Sequence, residues 1–355
     1  MYEKMAQSLI STGKFSVNII GFSSITHSDF PDIKFHPIFQ FNRRGYRRLL
    51  SNLSFFIYLL KLKPKITIVS TTELSPALLL YYFLFPYTKI VYDIRENHHR
   101  NLVSNHLTHN GSRRWLAIMI NWWEKLLVGY SHQIIVAEKG YLLEKSLLVN
   151  LNVKVIENKV ISPVERLNRS AIKKPMQLLY TGTISTPYGI WDALRFAIQL
   201  HRVLKGKLIF TIIGHVTQAE TYQQLTRLFQ KNPWIKPTIS DEPVSHHLLL
   251  EKMQMADFGI VSHQLLPSIW NCFPTRIWEY MAHQLPFFLQ QHQPWVEYCQ
   301  PHTCCVPVDF SLENWPMDDI ISKLFNASFY KNGIPTDIYW EHEKFLSVIL
   351  PLTKM

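Results

Sequence analysis

Residues 274–286 contain side chains whose types and spacing could hold a nucleoside diphosphate. A helix that begins at the start of this stretch would place Arg276, Glu279 and Tyr280 within one turn, because they are three and four positions apart. Its N-terminus would offer free amides and a positive dipole end to a phosphate. The Arg276 side chain could neutralise a diphosphate, and the Glu279 carboxylate could accept hydrogen bonds from two ribose hydroxyls. An ordinary amphipathic helix with an internal ion pair would explain the same residues.

This stretch resembles the donor-binding helix of the retaining family 4 glycosyltransferases, whose usual form is P-x-K-x-x-E-Y-[ML]-A-x-G-x-P. The matching positions, with arginine in place of lysine, are Pro274, Arg276, Glu279, Tyr280, Met281, Ala282 and Pro286. Gln284 and Leu285 stand where the family has its glycine before the final proline. Asn271 stands where many members have a second glutamate, eight positions before Glu279, and it can still hydrogen-bond a sugar hydroxyl. The resemblance implies that Asn271, Arg276 and Glu279 bind the donor and that Arg276 also serves catalysis.

A second stretch resembles the first strand and loop of the family's C-terminal domain, usually G-R-[LI]-x-x-x-K-G. Gly182 and Gly189 fall at the glycine positions, where backbone amides can approach a diphosphate closely. Thr183 and Tyr188 replace the Arg and Lys that offset charge on the leaving nucleotide, so hydroxyl groups and Arg276 would have to act instead. The donor-binding residues that the resemblance implies here and at the next strand end are Gly182, Thr183, Ser185, Tyr188 and Gly214.

The first half of the chain carries a third match. Residues 91–97 resemble the Y-D-V-H-E segment on the acceptor side of bacterial members. Arg95 stands where the family has a histidine that contacts the transferred sugar, and the resemblance implies catalytic roles for Arg95 and Glu96. A solvated loop with internal hydrogen bonds would account for the same polar cluster. The acceptor-binding residues that the resemblance implies are Glu73, Asn97 and His98.

Short apolar runs alternate with helical patterns along the chain. The runs lie at residues 17–20, 66–69, 89–92, 134–136, 153–156, 177–180, 208–213 and 256–261. Such alternation indicates parallel sheets covered by helices on both faces. A polar break at 162–175 separates two α/β units, which suits a chain of 355 residues. We predict domains at 1–162 and 175–330, and the resemblance adds a C-terminal helix in 331–355 that packs back on the first domain.

The composition is basic, with 37 Lys and Arg against 26 Asp and Glu and a net charge of +11. Such a surplus favours polyanionic partners. A nucleic-acid partner is disfavoured, because no zinc-finger, RNA-recognition or helix-turn-helix signature accompanies the charge. Basic residues flank the apolar run 49–60, and both a solvated, charged helix start and docking on a membrane surface remain open. These residues are Arg43, Arg44, Arg47, Arg48, Lys61, Lys63 and Lys65.

Other features bear on location and on the start of the fold. The four cysteines form no C-x-x-C pair, so we expect free thiols in a reducing cytoplasm. No signal peptide opens the chain, and the longest apolar run, 74–87, is shorter than a spanning helix. We expect a cytoplasmic protein, peripheral at the inner face of the plasma membrane if it docks there. The helical pattern at 2–9 means either that a first strand is missing or that the first sheet has fewer strands.

The resemblance implies the GT-B fold, with two Rossmann-like domains whose parallel sheets face a central cleft. It further implies transfer of a sugar from a nucleoside diphosphate donor to a glycan or lipid-linked hydroxyl acceptor, with retention and without a cofactor. Metal independence agrees with a sequence that has no D-x-D triplet. The setting would be assembly of bacterial surface polysaccharide or glycolipid. The alternatives are a non-catalytic sugar-binding protein and a nucleotide-sugar epimerase on the same fold.

Overall fold

The computed structural model describes residues 2–22, 33–39, 50–95, 111–144, 146–149, 151–161, 174–242, 244–267 and 269–354. The chain divides into two compact units. Unit 1 is formed by Met1–Ile161 together with Trp340–Met355, and unit 2 is formed by Ser162–Tyr339. Residues 331–339 therefore belong to unit 2, so the second division lies nine residues later than the sequence predicts. None of the helices in these described ranges has the length and apolar character that crossing a bilayer requires.

Unit 1 is built from parallel strands with helices between them. Its strands are β1 (Val17–Phe22), β2 (Ile33–Phe39), β3 (Ile66–Val69), β4 (Lys89–Ile94), β5 (Gln133–Val136) and β6 (Val153–Val155). The helices that accompany them are α1 (Gln7–Ile10), α2 (Ser51–Leu62), α3 (Ser75–Leu84), α4 (Gly111–Tyr130) and α5 (Gly140–Glu144). β1 pairs with β2, and the other four strands form a parallel sheet in the order β3-β4-β5-β6. A π-helical turn, Tyr2–Ala6, precedes α1.

Unit 2 contains one six-stranded parallel sheet. Its strands are β7 (Met176–Ile184), β8 (Leu208–Val216), β9 (Ile235–Ser240), β10 (Phe258–Val261), β11 (Phe287–Gln290) and β12 (Cys305–Val308). Its helices are α6 (Ile190–Val203), α7 (Ala219–Lys231), α8 (His246–Met255), α9 (Thr275–Ala282), α10 (Gln293–Cys299) and α11 (Met317–Asn326). The strand order is β12-β11-β10-β7-β8-β9, so the direction of winding reverses between β7 and β10. Ligands of open α/β sheets bind at such a switch point, beyond the carboxyl ends of the strands.

The most deeply buried of these apolar runs form the central strands, which are covered on both faces of their sheets. β10 is buried at every position, and β4 at every position after its first. Each predicted strand overlaps an observed one, and the parallel α/β class is confirmed. The sequence patterns missed β2, β9, β11 and β12. β9 lies at the sheet edge, contains Pro237 and is half-exposed, so it lacks the apolar run that marked the central strands.

The last helix, α12 (His342–Ile349), belongs to unit 1. Phe345 and Ile349 of α12 are buried with Val91 of β4, Ile135 of β5 and Leu9 of α1. The hydroxyl of Ser8 accepts a hydrogen bond at 3.0 Å from the indole nitrogen of Trp340, just before α12. The helix occupies only part of the segment 331–355 in which the resemblance implied it. One face of the central strands of unit 1 is therefore covered by the two ends of the chain.

Candidate functional site

The carboxyl end of β7 lies at the switch point of unit 2. Gly182 and Gly214 are register partners on β7 and β8. A Cβ on Gly214 would collide with the carbonyl of Gly182, so only glycine lets the two strand ends approach this closely. Gly182 itself has φ +93°, a backbone conformation that favours glycine. The two glycines therefore allow the backbones of β7 and β8 to approach closely near their carboxyl ends.

The Arg276 guanidinium fills the space that Gly182 leaves open. A Cβ on Gly182 would collide with Nη2 of Arg276, and the guanidinium lies over the ring of Tyr180 with 4.7 Å from Cζ to the ring centroid. Arg276 is only 7% exposed. Its Nη1 atom is buried and has no hydrogen-bond partner in the described part of the chain. A buried cation with an unsatisfied N–H group at a switch point is a candidate anion site.

Arg276 keeps its charge in this buried position. Burial acts to lower the pKa of Arg276, but the phenol groups of Tyr180 and Tyr280 and the carboxylate of Glu279 outweigh it, so the pKa is raised. Glu279 lies one turn later on α9 and is half-buried. The helix thus brings a charged guanidinium and a carboxylate to one site, as the spacing predicts.

Tyr280 holds α9 against the sheet. Its ring packs on Gly259 of β10, where a Cβ would clash with the ring, and its hydroxyl lies 3.2 Å from Oγ1 of Thr181. Burial raises the pKa of Tyr280 to about 12. The neighbouring Ile277 and Trp278 are buried as well. The i, i+4 spacing of Arg276 and Tyr280 on α9 therefore combines a candidate site residue with a packing residue.

The loop after β7 is held in a tight turn. The amide of Tyr188 donates to the carbonyl of Ser185 at 3.1 Å, and the hydroxyl of Tyr180 donates to the carbonyl of Tyr188 at 2.9 Å. Gly189 has φ +74° and packs directly on Ser262, whose hydroxyl donates to the Gly189 carbonyl at 2.8 Å. Ser185 is buried, Thr183 is half-buried and Tyr188 is exposed. The loop therefore connects the end of β7 rigidly to the start of α6.

Asn271 lies in the segment that leads into α9. It is half-buried, and the segment is held by the indole of Trp295, which donates to the carbonyl of Cys272 at 2.9 Å. The ring of Phe273 stacks on that of Trp278 with the centroids 4.7 Å apart. Asn271 is thus placed four residues before the helix that carries Arg276, next to a rigid aromatic cluster.

Two predicted site residues of unit 1, the acceptor residue Glu73 and the catalytic residue Arg95, lie at neighbouring strand ends. Glu73 lies in the 3₁₀ turn Thr72–Leu74 that follows β3, and Arg95 follows β4. The Nε atom of Arg95 pairs with Oδ2 of Asp93 at 2.6 Å, and the hydroxyl of Tyr141 donates to the Arg95 carbonyl at 2.8 Å. Because β3 and β4 are adjacent and parallel, both residues lie at one edge of the sheet. Glu96, Asn97 and His98 lie outside the described residues.

No model of a known protein family matches the chain, and no curated protein matches it in sequence. Solved structures match its fold. Sucrose-phosphate synthase from Thermosynechococcus elongatus is 15% identical, with a TM-score of 0.66 over 97% of this chain and 87% of that one. A UDP-forming α,α-trehalose-phosphate synthase from Burkholderia xenovorans, in complex with glucose-6-phosphate, is 11% identical, with a TM-score of 0.59 over 97% and 92%. The trehalose-6-phosphate structure from E. coli with bound UDP-2-fluoro glucose is 13% identical, with a TM-score of 0.60 over 98% and 92%.

These structural neighbours are GT-B glycosyltransferases. The chain has the GT-B fold. The fold that the sequence resemblance implied is therefore confirmed. Identities of 11% to 15% establish the fold alone, so the chemistry of this GT-B chain has to be argued from its own residues.

His263 is a candidate site residue of the GT-B chain that the sequence motifs missed. It follows β10, which lies beside β7 at the switch point, and it is only 5% exposed. Its ring meets that of Tyr188 edge-on at 5.0 Å, and its Nδ1 atom has no hydrogen-bond partner among the described residues. Burial, aided by the charge of Arg276, holds the pKa of His263 well below its usual range. Its position just beyond a fully buried strand is the one sequence signal that could have found it.

The GT-B chain also contains a cluster of three thiols. The sulfur atoms of Cys299, Cys304 and Cys305 lie within 4.8 Å of one another, and all four cysteines are free. Hydrogen bonds from the other two thiols lower the pKa of Cys305 to about 5. The cluster lies where β12 begins, at the edge of the sheet opposite to the carboxyl ends of β7 and β10. It therefore takes no part in the candidate site.

Proposed function

We propose that the chain is a glycosyltransferase that moves a sugar from a nucleoside diphosphate donor to a hydroxyl acceptor. The observation that carries this proposal is the buried guanidinium of Arg276 at the switch point of unit 2, with Nη1 unpaired among the described residues. An unsatisfied buried donor costs about 1–3 kcal/mol, and more when it is charged. A diphosphate oxygen would satisfy it. The GT-B fold and its glycosyltransferase neighbours support the same function.

The donor site would work by stabilising charge on the leaving group. Negative charge develops on the nucleoside diphosphate as the sugar leaves, and preorganised donors aimed at it lower the barrier. Arg276, the backbone of residues 182–185 and the N-terminus of α9 would supply those donors. The carboxylate of Glu279 would hold the ribose hydroxyls. We place the donor sugar beside Asn271 and the neutral ring of His263, whose Nδ1 could bond a sugar hydroxyl.

The acceptor side of the proposal involves unit 1. Arg95 and Glu73 would meet a glycan or lipid-linked hydroxyl acceptor, together with Glu96, Asn97 and His98. We infer retention at the anomeric carbon from the family resemblance. We infer metal independence from the lack of a D-x-D triplet and from the charge that Arg276 supplies. The basic charge supports a role at the inner face of a bacterial membrane, in the assembly of surface polysaccharide or glycolipid.

The proposal is tested by donor binding in solution. Titration calorimetry with a panel of nucleoside diphosphate sugars should give saturable binding to at least one donor. Arg276→Gln should weaken it about 10- to 150-fold, because a hydrogen bond to a charged group contributes about 1.5–3 kcal/mol. Arg227→Gln, on the exposed side of α7, is the matched control and should bind like the unmodified chain. If none of the donors binds, the proposed transferase function is wrong.

A second candidate function is a non-catalytic protein that binds nucleotide sugars. It is favoured by Thr183 at the end of β7 and Tyr188 in the loop that follows, which stand where the family has the two cations that offset leaving-group charge. Turnover separates the two functions. Slow hydrolysis of a radiolabelled donor, lost in Glu279→Ala, supports the enzyme. Saturable binding without hydrolysis or transfer, unchanged by Glu279→Ala, favours the binding protein.

A further inference from the structure

Helices α3 and α4 of unit 1 cover the same face of its sheet. The connections β3–α3–β4 and β4–α4–β5 step in one direction across the sheet, and right-handed crossovers put both helices on one side. The hydroxyl of Tyr92 on β4 donates to Oε1 of Glu124 on α4 at 2.8 Å. The adjacent Val91, which points to the other face, is buried with Phe345 of α12. The ends of the chain cover that second face, and α3 and α4 lie opposite to them.

Helix α3 contacts both α2 and α4. The amide of Ala77 on α3 donates to Oδ1 of Asn52 on α2 at 3.3 Å. The ring of Phe83 on α3 meets that of Tyr130 on α4 edge-on, with the centroids 5.1 Å apart. The three helices are therefore neighbours on the outside of unit 1.

Each of these helices presents large apolar side chains to solvent. The exposed apolar residues are Leu50, Leu53, Ile57 and Leu60 at α2, Leu80, Phe83, Leu84 and Tyr87 at α3, and Ile118, Trp122 and Tyr130 at α4. On α2 and α3 they recur every three or four residues, which makes one stripe along each helix. Leu80, Phe83 and Leu84 are between 53% and 60% exposed. Single exposed apolar residues are ordinary, whereas stripes on neighbouring helices mark a surface that binds a partner. We call the exposed apolar residues of the three helices the apolar face.

Among the residues that the structure describes on and beside these helices, the exposed charges are basic. Helix α3 contains no charged residue, and Lys61, Lys63 and Lys65 are exposed at the end of α2 and just beyond it. On α4 Lys125 is exposed, whereas Glu124 is buried against Tyr92. A surface of this kind, apolar at its centre and cationic at its rim, with Trp and Tyr among its side chains, matches the interface of an anionic bilayer.

The same charges disfavour a second copy of the chain as the partner. In a symmetric dimer through this face, each protomer would meet the lysines of its partner, and like charges facing each other are destabilising. We propose that the apolar face inserts into the interfacial region of an anionic membrane, with the lysines bound to lipid headgroups. This inference rests on the proposed function in one respect, because membrane binding would bring the chain to a lipid-linked acceptor.

The test is flotation of the full chain with vesicles of phosphatidylcholine alone or mixed with phosphatidylglycerol. The unmodified chain should bind the anionic vesicles, and the binding should weaken as salt is added. Phe83→Glu should weaken it at least about tenfold, because it puts a charge into the apolar interface. Phe325→Glu is the matched control, since Phe325 is an exposed phenylalanine on α11 of unit 2, and it should bind normally.

A triple variant tests the basic rim. Replacement of Lys61, Lys63 and Lys65 by glutamine should weaken vesicle binding by about 5-fold per lysine, or roughly 100-fold in all. Equal binding by the unmodified chain and Phe83→Glu, or no binding to anionic vesicles, would overturn the proposal. If the chain forms a dimer in solution and Phe83→Glu dissociates it, the partner of the apolar face is a second copy of the chain and not a membrane. Donor titration of the same variants keeps the two proposals apart, because Phe83→Glu should leave donor affinity unchanged.

Discussion

Replacement of Gly182 by alanine would act on the candidate donor site in two separable ways. The backbone at φ +93° is unfavourable for an L-residue, which costs about 1–2 kcal/mol of folding free energy. The new Cβ would also collide with Nη2 of Arg276, so the guanidinium would have to leave its place over Tyr180. The first effect should lower the stability of the fold and leave donor binding unchanged. The second should also weaken donor binding, because the cation no longer points where the diphosphate would lie.

The control for backbone strain is Gly206→Ala. Gly206 has φ +79°, and its nearest neighbour to an added Cβ is Nε2 of His201 at 3.9 Å, which is ordinary contact. We expect Gly206→Ala to lose about 1–2 kcal/mol of unfolding free energy in urea melts. Gly182→Ala should lose more than this, and it alone should weaken donor binding, by about tenfold or more as a charged hydrogen bond is lost.

A double-mutant cycle with Arg276→Gln checks the reasoning. If Gly182 serves the site by making room for Arg276, then Gly182→Ala should weaken donor binding much less in the Arg276→Gln background than in the unmodified chain. Calorimetry on the four proteins measures this coupling. Additive losses of affinity would refute the argument, because Gly182 would then act on the donor independently of the guanidinium.

Two further predictions concern stability. Gln284 has φ +49° and stands where the family has its glycine. Gln284→Gly should therefore raise the unfolding free energy by about 1 kcal/mol in urea melts. A loss of stability would show that the Gln284 side chain stabilises the fold by more than its backbone strain costs. Burial lowers the pKa of His263, so the unfolded chain binds more protons as the pH falls below about 6.5, the usual histidine pKa. Stability should therefore fall from pH 6.5 toward pH 5, by up to about 1.4 kcal/mol per pH unit from this group. His263→Gln should flatten that slope and the exposed His246→Gln should leave it unchanged, whereas equal slopes in all three proteins would contradict the assignment.

The strands at the centre of each sheet could be predicted from the sequence because they are buried on both faces. A strand such as β10 needs apolar residues at every position, and that requirement is visible without coordinates. β9 and β12, at the two sheet edges, are partly exposed and carry weaker patterns, so they were missed. β11 was missed although it is buried at all four positions, because its apolar run is only three residues long. The helical spacing of Arg276 and Glu279 was also readable, because it depends only on the local geometry of α9.

The sequence by itself determined the alternation of strands and helices, the parallel sheets and the placement of Arg276 and Glu279 one turn apart on α9. Each of these depends on residues that are close together in the chain. Tertiary structure alone decided which of these residues meet. Gly182 and Arg276 are far apart in sequence, yet one leaves the space that the other fills. The burial of His263 and the unpaired Nη1 of Arg276 likewise follow from the placement of β10 beside β7. The burial of a side chain depends on all the residues that pack around it, and a pattern read along the sequence does not show which residues those are.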